Sequence, residues 1–231
     1  MDLISKEGFR LDGRLKNEHR NIQLEHKILN NMHHIEFIQG ETAILATLRT
    51  DAYDKINKRK DDRIEFSIVF CDSGLNDRTK HDHIIEELID ILKNTYNNLI
   101  ISDKVLVEIK IKQNDGGLLA SLFNTITVLL CVGGVGMLDL CIGFTVGLYR
   151  NRNTKTNTIL FDLNRDEERC PSNMVIGFAP HRKTILYITT TKISMDDFRC
   201  VYDQAVVGVN VIFQFISDFL KNGKSKKDFL E

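Results

Sequence analysis

The chain has 231 residues, 42% apolar and 27% charged, and its 31 Lys and Arg nearly balance 32 Asp and Glu for a formal charge of −1. This composition supplies a sizeable core and excludes a disordered acidic or basic chain, and it leaves nucleic-acid binding to local patches rather than to global charge. The five cysteines (Cys71, Cys131, Cys141, Cys170 and Cys200) are odd in number and widely separated, with no C-x-x-C pair. They argue against a disulfide framework and a zinc site, and for a reducing intracellular compartment. The opening MDLISKEGFRLDG has no apolar stretch suited to a signal peptide and carries acids foreign to a transit peptide.

Four strand-like stretches come first: Asn21 to Ile28, Met32 to Ile38, Thr42 to Arg49 and Ile64 to Phe70, with Gln39-Gly40 as the second turn. They are expected to form an antiparallel meander. Between the last two lies a loop rich in Lys55, Lys58, Arg59, Lys60 and Arg63, a local positive field. From His81 to Asn97, Ile84, Ile85, Leu88, Ile91 and Leu92 recur at the spacing of one helical face. Lys104 to Lys112 alternates apolar and charged residues, as a strand with one wet face does.

Gly116 to Leu138 is a run of 23 residues without a charge, nominally enough to cross a bilayer. Ser121, Asn124, Thr125 and Thr127 interrupt it, and Gly133, Gly134 and Gly136 break it. A buried core helix over about Leu118 to Val132 is therefore expected, and no membrane span. Leu140 to Tyr149, Thr158 to Asp162, Met174 to Ala179 and Thr184 to Thr190 read as strands. A long helix over about Met195 to Lys221 follows, with Ser194 as its N-cap. No Pro- or Ser-rich linker divides the chain. The expected architecture is one α+β domain over 1–231, with two mixed β-sheets, intervening helices and a short basic tail from about 221 that frays.

Three co-linear stretches carry a resemblance. EGFRLDGR (Glu7 to Arg14), GETAILATLRT (Gly40 to Thr50) and NDGGLLASLFNTITVLLCVGGVGMLDLCIGFTVGLY (Asn114 to Tyr149) resemble the RNase PH family. Within it they are most similar to the RNA exosome core subunit whose archaeal relatives carry the catalytic site. The acidic stretch Asp162, Leu163, Asn164, Arg165, Asp166, Glu167, Glu168 is similar to the family's acidic turn, and the matches recur in order from residue 4 to about 220.

The resemblance implies a six-membered ring of RNase-PH-like subunits with RNA-binding cap proteins, threading single-stranded RNA through a pore, in the nucleus, nucleolus and cytoplasm. Active members use inorganic phosphate to attack the terminal phosphodiester. Two adjacent phosphate groups demand guanidinium groups, backbone N–H donors at a helix start, and carboxylates for a metal or a proton. Gly116 and Gly117 match the glycines of that site. Leu118 and Leu119 replace the Ser/Thr-Arg pair of active relatives, and Asp103 stands where the resemblance would put a phosphate-binding arginine. An acid there adds repulsion. Lys104 is one residue away and lacks the bidentate fork. Asp162 and Glu168, six apart, match the catalytic acids, with Glu for the second Asp; the alternative is a solvated turn between strands.

The implied function is a non-catalytic exosome ring subunit supporting 3′-to-5′ RNA processing, with no catalytic residue, metal or cofactor expected. An active phosphate-dependent 3′–5′ exoribonuclease, using phosphate and a divalent metal, and a stand-alone binding module of the same fold are the alternatives. Lys58, Arg59, Lys60 and Arg63 are the candidates for RNA contact, against a plain solvated loop. The basic pair that relatives carry before the first long helix is replaced here by Lys80, His81, Asp82 and His83. His33 and His34 have no Cys or second acid at ligand spacing, so no metal is expected there. Cys131 and Cys141 read as core residues.

Overall fold

Alternation of apolar and polar residues decides the first sheet. The computed structural model describes residues 3–5, 8–49, 63–71, 78–101, 104–150, 157–169, 172–222 and 225–227. In β1 (Ile22–Leu29), β2 (Met32–Gln39), β3 (Thr42–Arg49) and β4 (Ile64–Phe70) the buried residues of each strand share one face, which opens to solvent toward the β1–β2 turn at His26, Ile28 and His33. Helix α1 (Arg78–Tyr96) leads to β5 (Val105–Gln113). α2 (Leu118–Val132) precedes β6 (Ile142–Arg150), β7 (Asn157–Phe161) and the four-residue α3 (Arg165–Glu168). β8 (Asn173–Ala179), β9 (Thr184–Thr191), α4 (Met195–Asn222) and β10 (Ser225–Lys227) complete the described elements.

The strands form two sheets, ordered β10-β1-β2-β3-β5-β4 and β7-β6-β8-β9. Only the first is mixed; the second is antiparallel throughout. The expected four-stranded meander stops at β3. β5 lies between β3 and β4, and β4 runs parallel to it with Ile64 level with Val105 and Phe70 with Ile111. The reason is local: β4, α1 and β5 make a strand–helix–strand unit, whose crossover returns the chain parallel to its first strand. The fraying expected from 221 is not found among the described residues of the tail. α4 continues to Asn222, and residues 225–227 pair with Ile22 to Leu24, covering the backbone edge that β1 would leave open.

α2 lies between the sheets, against β2 and β3 on one side and β6 and β8 on the other, while α4 packs on β6, β7 and β8. β6 is accordingly buried on both faces over its first eight residues. A helix between two sheets exposes no polar face, so its buried polar side chains need partners. Asn124 Nδ2 donates to the Gly143 carbonyl at 3.1 Å, and its Oδ1 accepts the Gly143 N–H at 2.8 Å. Thr127 Oγ1 donates to the Cys141 carbonyl at 2.7 Å, and Ser121 Oγ lies 3.2 Å from Gln39 Oε1. Gly143 permits this approach: a Cβ there would stand 2.4 Å from the Ala120 carbonyl oxygen. The uncharged run is thus a core helix. α4 has the length and composition to cross a membrane, yet Val201, Ala205, Val209, Ile212 and Phe215 are buried within the protein.

Ser194 caps α4, its Oγ accepting the Asp197 N–H at 3.3 Å. Cys141 is buried and Cys131 half-buried, and burial pushes the Cys131 thiol up to about 11, so both behave as packing residues at neutral pH.

Candidate functional site

β5 runs into Asn114–Gly117 at the end of the first sheet where the β2–β3 turn also lies, because Ala43 pairs with Gln113. Thr42 Oγ1 fastens the two segments, accepting the Asp115 N–H at 2.9 Å and donating to the Gly116 carbonyl at 2.8 Å. Gly116 and Gly117 both sit in the left-handed region, at φ 89° and 65°. A Cβ on Gly116 would lie 2.5 Å from the Asn164 carbonyl carbon. The backbone that this glycine lets in is therefore that of the acidic turn.

That turn begins at Asp162, itself left-handed at φ 50°, and continues into α3. Asn164 and Glu167 form a capping box: Asn164 Oδ1 accepts the Glu167 N–H, and Glu167 Oε2 accepts the Asn164 N–H, each at 3.0 Å. Three arginines from the first twenty residues close around it. The Arg10 guanidinium pairs with both carboxylate oxygens of Glu167, through Nε at 2.7 Å and through Nη2, and donates to the Phe161 carbonyl at 2.6 Å. Arg14 Nη1 donates to the Asp162 carbonyl at 3.0 Å. The Arg20 N–H reaches Asp162 Oδ2 at 2.7 Å, and its guanidinium reaches Oδ1 through Nη2 at 2.8 Å and Nε at 3.1 Å. Arg20 also donates to the carbonyls of Asp115 at 2.8 Å and Gly116 at 3.2 Å.

Asp162 and Glu167 are each 1% exposed, Arg10 3% and Arg20 5%. Burial alone would push the Asp162 carboxyl up, but the Arg20 guanidinium overrides it and holds the group well below the usual carboxylate range. Glu168 goes the other way. Burial raises it, and the Gly117 N–H bond to its Oε1, at 2.7 Å, only partly offsets the shift. Leu118 and Leu119 open α2 half-buried against the core and offer no polar side chain.

Beside this cluster runs an open groove of about 320 Å³. Its walls carry Asp12, Glu18, Glu41 and Asp115, and its cations are Arg14 and Arg20, both already engaged with the acidic turn. The groove thus carries four acids against two arginines, with Asp12 paired to Arg14 and Asp115 near Arg20, and a net acidic balance.

The structure brings together Gly116, Gly117, Leu118, Leu119, Asp162 and Glu168, as the resemblance implies. Asp103 lies outside the described residues, but Val105, two positions on, opens β5 at the far end from Gln113, about 27 Å away at the usual strand rise. Lys58, Arg59 and Lys60 also lie outside the described residues. β3 leaves the sheet at Arg49, level with Leu106, and β4 enters it at Ile64, so their connection joins that same far end. Arg63 is described: its N–H donates to Asn97 Oδ1 at 3.0 Å and its guanidinium to the Ile100 carbonyl, which ties it to the chain following α1. Asp82 and His83 are exposed on α1. Sequence reasoning missed Arg10, Arg14, Arg20 and Glu167 as one buried cluster. The available signal was three arginines within eleven residues and a D-E-E run elsewhere in a chain of near-zero charge.

No model of a known protein family matches the chain. Among solved structures it is similar to rice (Oryza sativa) Rrp46, with a TM-score of 0.77 at 20% identity over 92% of this chain and 100% of that one. The fold is thus RNase PH-like, an α+β fold of two sheets with helices packed on them. Among curated proteins the chain is similar to the exosome complex component RRP41 homolog of Arabidopsis thaliana, at 26% identity over 99% of this chain and 98% of that protein. It is likewise similar to exosome complex component SKI6 of Saccharomyces cerevisiae, at 25% over 98% and 96%, and to ski6 of Schizosaccharomyces pombe, at 27% over 92% and 90%. The chain therefore combines an RNase PH-like fold with end-to-end similarity to exosome complex components.

Proposed function

We propose that this chain is a non-catalytic ring subunit of an RNA exosome core, holding its place among other RNase-PH-like subunits in a six-membered ring beneath RNA-binding cap proteins. End-to-end similarity to exosome complex components supports the assembly. One observation carries the loss of chemistry: the groups that should meet phosphate are closed onto each other. The Gly117 N–H is bonded to Glu168, both Asp162 oxygens accept from Arg20, and the next two side chains are leucines. The same donor set does not fit a divalent ion, since a buried guanidinium already occupies the carboxylate that would ligate it. Such a subunit shapes the channel and works wherever the exosome trims RNA, in nucleus, nucleolus and cytoplasm. Tagged protein isolated from its own cells should carry other RNase-PH-like subunits in equal amount; a soluble monomer that ignores them would support a stand-alone module instead.

The basic segment before β4 supplies the RNA contact. The described residues that flank it, Arg49 and Ile64, lie at the end of the first sheet opposite the acidic groove. Phosphate contacts hold RNA without regard to sequence. Replacing Lys58, Arg59 and Lys60 by Ala should lower the slope of log affinity against log salt by about 0.7 per lost contact, measured on the assembled ring with single-stranded RNA. Arg63 is left in place because its guanidinium caps the chain after α1. An unchanged slope would return the segment to the status of a solvated loop.

A further inference from the structure

β1 and β2 meet in a two-residue turn, Asn30-Asn31, both left-handed at φ 51° and 59°, with Leu29 directly opposite Met32. This tight turn fixes the register of everything beside it. Ile28 faces His33 and Ile35 faces His26, so the two histidines are diagonal neighbours on one face of the hairpin. His26 Nε2 lies 3.1 Å from His33 Nδ1, the rings are parallel within 3°, and their centroids are 5.2 Å apart. The rings therefore meet through their nitrogen edges, and the two atoms share one proton. His34, the sequence neighbour of His33, points to the other face, where its Nδ1 lies 2.8 Å from Thr47 Oγ1. Adjacent positions in a strand never converge, so the spacing of His33 and His34 could not disclose this pair.

We propose that His26 and His33 form a two-imidazole site for a borderline divalent metal ion, Cu²⁺ most tightly and Ni²⁺ or Zn²⁺ next, stapling the tip of the β1–β2 hairpin. At the usual metal–imidazole length of about 2.0–2.1 Å, two nitrogens 3.1 Å apart subtend roughly 98° at the ion, between the octahedral and tetrahedral angles. Binding needs each ring to turn its lone pair roughly 40° off the line between the two nitrogens, and the shared proton to move through solvent to the other nitrogen of the ring that carries it, so that both ligands are neutral imidazoles. Both rings are half-exposed, which leaves room for water in the remaining positions. Imidazole ligands select Cu²⁺, Ni²⁺ and Zn²⁺ over Mg²⁺, which keeps to oxygen donors. The selectivity also separates this site from the acidic groove at the far side of the hairpin's register. The proposal is independent of the exosome reading, since it uses only this chain's own hairpin.

The test is a titration of the full chain at neutral pH with Cu²⁺, Ni²⁺, Zn²⁺ and Mg²⁺, read by calorimetry and by the imidazole resonances of each histidine. One site should fill in the order Cu²⁺ before Ni²⁺ and Zn²⁺, with His26 and His33 resonances moving and Mg²⁺ moving neither. His26→Gln and His33→Gln should each weaken Cu²⁺ at least tenfold, whereas His34→Gln should leave it unchanged. Since the positions are half-exposed, the far-UV spectrum of each variant provides the folding control. Cu²⁺ affinity that survives both substitutions in folded protein, or no uptake by the unmodified chain, would overturn the proposal.

Discussion

Asp162→Asn should destabilise the protein by about 3–5 kcal/mol, because it keeps the shape of the side chain and strips the buried Arg20 guanidinium of its nearest counter-charge, leaving Asp115 at 3.8 Å. Asn tolerates the left-handed backbone at this position, so the loss reports the ion pair and not the turn. For a chain of this length the shift in Tm should be roughly 6–20 °C. Removing the stranded charge as well, in Asp162→Asn with Arg20→Met, should recover part of the loss. A change below about 1 kcal/mol in urea unfolding would show that the cluster does not hold the turn.

The same variant fixes a pH dependence. Asp162 has a folded-state value below the ordinary one, so its contribution is complete above the unfolded value, about 3.9, and is lost as pH falls toward the folded value. The gap between wild type and Asp162→Asn should be constant from neutral pH down to about 5 and narrow below about 4. Glu168, raised by burial, has the opposite sign: its contribution declines as pH rises past the ordinary carboxylate value. Asp162 is one of the charges that raise it, so the Glu168 contribution is smaller in Asp162→Asn and does not cancel fully in the difference.

The second large effect belongs to Asn124. β7 pairs with β6 only from Val146 to Arg150, so the Gly143 N–H and carbonyl that face away from β8 meet no strand there. The Asn124 amide satisfies both. Asn124→Leu fills a similar volume with a better core side chain, yet leaves two buried backbone groups unpaired at about 1–3 kcal/mol each. A loss of about 2–6 kcal/mol, less what the leucine gains by packing, is expected in urea unfolding. A stabilised variant would mean that apolar packing, and not this bridge, seats α2 on the second sheet.

These two sites show where the sequence is transparent and where it is not. The strands, the amphipathic α1, the uncharged α2 and the long α4 follow from periodicity, since each buries a face set by local spacing. The insertion of β5 between β3 and β4 does not, because pairing partners far apart in sequence leave no periodic trace. β10 is invisible for a related reason: a three-residue strand carries no pattern, and the open edge of β1 recruits it. At the site, motif resemblance located Gly116, Gly117, Asp162 and Glu168 but not their mutual closure. Arg10 and Arg14 stand in the opening motif as markers, and only the folded chain turns them onto Glu167 and the Asp162 carbonyl. His26 and His33 escaped for the same reason, being seven apart in the chain and in contact across a turn.

The proposed loss of catalysis is tested most directly by phosphate-driven RNA shortening by the assembled ring. Purified ring containing this chain is given single-stranded RNA with and without inorganic phosphate, and released nucleoside diphosphates are measured. Loss of one preorganised donor from such a site costs on the order of 100-fold in rate, and here the donors at the helix start and both candidate carboxylates are already engaged. No nucleoside diphosphate above the phosphate-free control is expected. Phosphate-dependent release that disappears with Glu168→Gln in this chain, while the ring remains assembled, would contradict this expectation.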